Sequence, residues 1–156
     1  MLGEIWFLRH GEAEPHGAAP DADRRLTEKG EHQSRVAGKA LASLGVDFAH
    51  VFTSPRVRAL DTARIACEEL GLEPIVHEAL TGGFDRDEAL ALLGALDGEG
   101  RILVVGHEPD FSQVVHDLTG GMVDFKKGGI AAVRVDSTAA ELRVLLRPRE
   151  LELIAD

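Results

Sequence analysis

Two short runs constrain this chain more than any others in it. "EIWFLRH" (4–10) and "RILVVGH" (101–107) are almost continuously apolar, lack helical length, and each ends on a histidine. A strand that is apolar on both faces must be covered on both faces, as central strands of a parallel sheet are. Parallel strands in turn need crossover connections between them, usually helices.

The rest of the sequence supplies those helices. Thr27 as N-cap opens a helical pattern over 27–45, with Val36, Ala40, Leu41 and Leu44 at helical spacing and Gly45 as its stop. "HVFTS" (50–54) reads as a second strand, and 55–71 as a second helix with Pro55 in its first turn and Gly71 after its end. A short strand is expected at 74–78, a helix at 85–96 and another at 109–120, while 130–136 and 141–146 read as an edge hairpin. Residues 11–26 hold two prolines and two glycines without periodicity, a long loop of the kind that often carries function. The predicted fold is a three-layer α/β/α sandwich with a mostly parallel sheet and an antiparallel edge hairpin, a single domain over 1–156.

Composition narrows the partners. The chain has 156 residues, 44% of them hydrophobic, and a formal net charge of −10. That balance argues against nonspecific binding to nucleic acid or anionic membranes, and an acidic protein that handles an anion must concentrate its cations locally. No run approaches the ~20 apolar residues of a membrane span, and the start does not read as a signal peptide. Cys67 is the only cysteine, at helical spacing with Ala63 and Leu70, and reads as a core thiol. The expected location is the cytoplasm.

Three strand ends carry polar groups that a parallel sheet would bring to one edge. Arg9 and His10 follow the first strand, Arg58 lies one turn into the helix after the second, and His107 ends "RILVVGH". Ligands of open α/β sheets bind beyond the carboxyl ends of the strands. Two guanidinium groups and two imidazoles meeting there make an anion pocket. A phosphoryl group is the most economical anion, because arginine forks match its oxygens. Gly11 lets the backbone approach without a Cβ in the way, and the helix start near Pro55–Arg56 adds backbone donors. Arg56 reads as nearer the pocket mouth. Arg24, in the long loop, suits an ion pair with Asp21 or Asp23 as well as it suits a phosphate contact.

The same residues stand in strings that resemble a family. "LRHGEAE" resembles the Arg-His-Gly signature of the histidine phosphatase superfamily, in its phosphoglycerate-mutase-like branch. "TSPRVRALDTA" resembles that family's second motif and aligns its arginine with Arg58; "VVGHEP" resembles the third, with His107. "DRRLTEKG" is similar to a segment of the small phosphohistidine phosphatases of the SixA type. Two departures stand out: Arg25 replaces the usual proline, and Asp61 stands where many relatives carry glutamine.

The resemblance implies a metal-independent phosphatase with no cofactor. His10 would be the nucleophile and form a phosphohistidine that water then hydrolyses. Arg9, Arg58 and His107 would hold the equatorial oxygens, with Arg24 as a fourth phosphate contact. Phosphoglycerate-mutase relatives use an acid after the third strand, and Glu78 is the nearest candidate for that general acid here. The substrate would be a phosphorylated protein carrying phosphohistidine, or a small phosphorylated metabolite. So short a chain leaves little for an insertion to roof the pocket, which suits a phosphate carried on a protein. A phosphoramidate also needs no dedicated proton donor. The other readings are a phosphomonoesterase of sugar phosphates or nucleotides, and a phosphate-binding module without catalysis. His16, His32, His50, His77 and His116 read as surface or core residues, and Lys126–Lys127 as a solvated turn. A zinc site fails on spacing, since Phe111 stands where a metalloprotease helix needs its second histidine.

Overall fold

A computed structural model describes residues 2–137 and 139–156. Six strands form one sheet: β1 (Gly3–Arg9), β2 (His50–Thr53), β3 (Pro74–Val76), β4 (Gly100–Gly106), β5 (Ile130–Val135) and β6 (Ala140–Leu146). Their order across the sheet is β3-β2-β4-β1-β5-β6. Five helices follow in sequence: α1 (Glu28–Ser43), α2 (Val57–Leu70), α3 (Arg86–Gly94), α4 (Asp110–Thr119) and α5 (Pro148–Ala155). The pairs β1–β4, β2–β4 and β2–β3 are parallel, whereas β1–β5 and β5–β6 are antiparallel. The hairpin β5–β6 forms one edge, as its two apolar runs predict; residue 138 lies outside the described residues.

The continuous apolar runs become the middle of the sheet. Ile5, Trp6, Phe7 and Leu8 of β1, and Ile102 to Val105 of β4, are all buried. Alternate side chains serve opposite layers. Trp6, Leu8, Leu103 and Val105 pack with residues of α1, α2 and α5, while Ile5, Phe7, Ile102 and Val104 pack with residues of α3 and α4. Each such side chain stabilises the fold by about 1.5–3 kcal/mol, so both layers depend on these two strands.

Local chemistry sets the helix ends. Thr27 accepts a hydrogen bond from the Gly30 amide (3.1 Å) and caps α1. Gly71 and Gly120 end α2 and α4 in the left-handed region. The predicted third strand shortens to Pro74–Val76, and a 3-10 turn takes over at Glu78–Thr81. The pattern reading leaves residues after 146 unassigned. The structure places α5 there, with Leu151 fully buried against the core cluster that also holds α1.

Candidate active site

Strand register brings the two histidines together. Arg9 pairs with Gly106 in the β1–β4 ladder, so His10 and His107 each stand one residue beyond the last rung. The His10 amide donates to the Gly106 carbonyl (3.1 Å), and the Ser54 amide donates to the Val105 carbonyl (3.0 Å). The ends of β2, β4 and β1 are thereby knitted side by side. The two imidazole centroids lie 5.3 Å apart. Gly106 is required here, since a Cβ would meet the Phe111 ring at 2.8 Å.

The loop behind His10 is held as tightly. The Gly11 amide donates to Thr62 Oγ1 (3.1 Å), and that hydroxyl donates to the Arg58 carbonyl (2.7 Å). Thr62 therefore couples the loop after β1 to the first turn of α2. Gly11 and Gly30 make a close backbone contact; a Cβ on Gly11 would stand 2.5 Å from the Gly30 carbonyl oxygen.

His10 has a defined tautomer. Its Nδ1 lies 2.7 Å from the Gly11 carbonyl oxygen, which only accepts, so Nδ1 carries the proton and Nε2 keeps its lone pair. Burial pushes the ring's pKa down to about 4, the Gly11 carbonyl opposes the shift, and Arg58, Arg9 and Lys127 reinforce it. His107 is buried beside it, with Nε2 2.7 Å from Ser54 Oγ. Burial, then His10, Arg58 and Arg56, pull its pKa to about 3. Both rings are neutral at pH 7.

A cleft of about 400 Å³ opens over these rings. Arg9, His10, Arg24, Arg56, Arg58 and His107 line it, with Ala13 and His16 from the long loop, Thr81–Gly83 and Glu108–Asp110 as walls, and Lys127 at one side. One carboxylate gathers three of the arginines. Asp21 pairs with Arg24 (3.0 Å), with Arg56 through a short contact, and with Arg58 (3.3 Å), while its carbonyl oxygen accepts from Arg58 Nη1 (2.7 Å). Arg24 thus makes the loop ion pair and lines the cleft as well. Arg9 is fixed separately, donating from Nη1 to the Phe125 carbonyl (2.8 Å). Six buried polar side-chain atoms have no partner among the described residues. Five belong to the cleft residues Arg9, Arg56, Arg58, Thr81 and His107. Orphaned polar groups are costly, and these five belong to residues that line this one cationic cleft.

A model of the histidine phosphatase superfamily, branch 1, matches residues 5–82. The chain belongs to the histidine phosphatase superfamily. Within it, the chain is 34% identical to an uncharacterized protein of Picosynechococcus sp., over 95% of this chain and 98% of that one. It is 32% identical to the phosphohistidine phosphatase SixA of Escherichia coli, over 86% of this chain and 87% of that one. Among solved structures, a protein histidine phosphatase SixA complexed with tungstate superposes with a TM-score of 0.85 at 30% identity, covering 95% of this chain and 99% of that chain.

Against that superfamily frame, the structure brings Arg9, His10, Arg24, Arg58 and His107 to one cleft and leaves Glu78 out. Glu78 is exposed at the head of the 3-10 turn after β3 and lines no part of the cleft. The strand before it ends at Val76, so the chain has already turned away from the sheet edge. The cleft carboxylates are instead Glu108 and Asp110, and both are engaged: Glu108 accepts from the Ser112 amide (2.8 Å) and Asp110 from the Gly83 amide (2.9 Å). Sequence reasoning named Asp21 only as a partner for Arg24, and missed its hold on Arg56 and Arg58 and the parts played by Ser54 and Thr62. Ser54 and Thr62 lie inside the second motif string, which was a readable signal; the wider reach of Asp21 depends on an aperiodic loop and gave none. Neither of the two departures from the family pattern lines the cleft. The Arg25 amide donates to Glu14 Oε1 (2.8 Å), a bond proline could not make, and Asp61 pairs with Arg64 (3.6 Å).

Proposed function

We propose that this protein is a metal-independent phosphohistidine phosphatase of the SixA type, with His10 as nucleophile. The observation that carries the reading is the His10 ring, neutral and tethered through Nδ1 to the Gly11 carbonyl, with Nε2 free in a cleft lined by four arginines. A neutral imidazole with a fixed tautomer is ready to attack phosphorus without first losing a proton.

In the first step His10 Nε2 bonds to phosphorus and the P–N bond of the substrate breaks. The departing imidazole leaves neutral when its other ring nitrogen already carries a proton. Arg9, Arg58 and His107 hold the phosphoryl oxygens, with Arg24 as a further contact, and the arginines supply fixed positive charge as the phosphoryl group transfers. Water then attacks the phosphorus of the phosphorylated His10 and releases inorganic phosphate. The chemistry of the leaving group supports a phosphoramidate rather than an ester, since a departing imidazole needs no dedicated proton donor. Glu108 and Asp110, the carboxylates that line the cleft, already accept from the Ser112 and Gly83 amides (2.8 and 2.9 Å). The relative from E. coli, at 32% identity, is a phosphohistidine phosphatase, which supports this choice.

The test is a panel of phosphorylated substrates, with and without chelator. Phosphohistidine should be hydrolysed faster than sugar phosphates and nucleotides, EDTA should leave the rate unchanged, and an acid-labile phosphate should be trapped on His10. The variant His10→Ala should lose turnover and labelling while keeping its unfolding midpoint. Faster turnover of esters would transfer the assignment to a small-molecule phosphomonoesterase. Tight phosphate binding without labelling would make it a binding module.

A further inference from the structure

A second groove, of about 610 Å³, adjoins the cleft and shares Arg9 and Lys127 with it. Its basic side chains come from three distant parts of the sequence. Lys29 lies in the first turn of α1, Lys126 and Lys127 in the turn before β5, and Arg147 and Arg149 at the start of α5. In a chain with 17 Lys and Arg against 27 acids, a random patch should be acidic. Cleft and groove together are lined by nine of those 17 cations and by four of the 27 acids. The acids in the groove are already engaged. Asp124 pairs with Lys126 (2.8 Å), and Glu12 accepts from the Thr27 hydroxyl (3.2 Å). Arg147 and Arg149 share Glu150 (2.9 and 3.6 Å), whereas Lys29 and Lys127 make no ion pair among the described residues.

The groove is fixed relative to the reacting centre. Arg9 holds the Phe125 carbonyl (2.8 Å), and the Gly128 amide lies 3.0 Å from the Arg9 carbonyl oxygen and 3.1 Å from that of His10. The lysine turn is therefore tied to the residues that carry the nucleophile. Gly128 makes this turn possible at a φ of 80°, packed so close to Gln33 that a Cβ would stand 2.9 Å away.

We propose that this groove docks an acidic segment of the protein that carries the phosphohistidine, laid alongside while the phosphorylated side chain enters the cleft. The inference rests on the phosphohistidine reading above and adds the chemistry of the partner. A groove of exposed cations beside an open cleft matches an anionic chain longer than one phosphoryl group. In a protein whose net charge otherwise repels acidic partners, this local reversal supplies both steering and register.

Three probes test it: free phosphohistidine, a histidine-phosphorylated peptide flanked by glutamates, and the same peptide flanked by glutamines. At low salt the wild type should show a kcat/KM about tenfold higher for the glutamate peptide than for the glutamine peptide, and the preference should shrink as salt rises. The triple variant Lys29→Gln/Lys126→Gln/Arg149→Gln should lose that preference while hydrolysing free phosphohistidine at the wild-type rate. A control that removes three charges elsewhere, Lys39→Gln/Arg64→Gln/Arg143→Gln, should keep it. Equal rates for the two peptides, or a preference that survives the groove variant, overturns the proposal. Inhibition by pyrophosphate with no difference between the peptides also overturns it, in favour of a small anion. If free phosphohistidine is not hydrolysed, the substrate reading fails by itself. Docking is then read from binding of the fluorescein-labelled, unphosphorylated glutamate peptide, expected about tenfold tighter to the wild type than to the groove variant; equal binding overturns it.

Discussion

Lowering the pH from 7 to 5 should cost the folded protein about 2 kcal/mol at His10 alone. The unfolded chain protonates an ordinary imidazole near pH 6.5, whereas the buried ring of His10 is held at about 4. Between those values the unfolded state binds more protons than the folded one, so stability declines as the pH drops through 6.5 and the decline ends near 4. At pH 5 the gap to the unfolded value is about 1.5 pH units, and each unit is worth about 1.4 kcal/mol. His107, held at about 3, adds a similar loss. The measurement is urea unfolding at pH 7 and pH 5 in phosphate-free buffer, followed by fluorescence of Trp6, the single tryptophan, which is buried in the core. The His10→Asn variant is the reference, because it removes the titrating ring and leaves His107 and every carboxylate in place. Wild type should lose about 2 kcal/mol more than the variant over this interval. If the two proteins lose the same amount, His10 is not held neutral by burial, and the account of its readiness to attack fails with it.

Other outcomes follow from the same contacts. Arg58→Ala removes a buried guanidinium from the cleft and should lower kcat/KM for phosphate release by about 10²- to 10³-fold, read from steady-state kinetics; a loss below about tenfold would exclude it from the transition state. Gly30→Ala would place a Cβ 2.0 Å from the Glu12 carbonyl oxygen and should cost about 2 kcal/mol or more, seen as a fall in Tm.

The sheet was legible because its central strands are apolar on both faces, and only a parallel, doubly covered sheet accommodates that. The edge that carries the candidate site was legible for the same reason, since Arg9, His10 and His107 sit where the apolar runs stop. Helix α5 was harder to see. It has eight residues, one fully buried side chain in Leu151, and an exposed Leu153 that blurs the pattern. Its stability comes from packing against α1 rather than from its own periodicity, though Pro148 at its start was a signal available in the sequence. Asp21 was legible only as a partner for Arg24, not as the carboxylate that also gathers Arg56 and Arg58. Its position depends on how an aperiodic loop folds over the arginines, and no local rule fixes that. Glu78 was misplaced because β3 is only three residues long and the 3-10 turn after it carries the side chain outward. The cleft carboxylates Glu108 and Asp110 stand beside the third motif, where charge alone did not reveal that backbone amides already claim them.

The spacing of the two imidazoles is written in main chain. They ride on adjacent strands locked rung to rung up to Arg9 and Gly106, so substitutions around the mouth can alter what enters without changing the pitch of the two rings. The spacing is also hard to adjust finely. The smallest slip of one strand past the other is a residue, about 3.3 Å, and it would send every side chain of that strand to the opposite layer. Descendants or redesigns of this scaffold can therefore refurnish the entrance freely, but they receive the distance at its centre as a fixed inheritance.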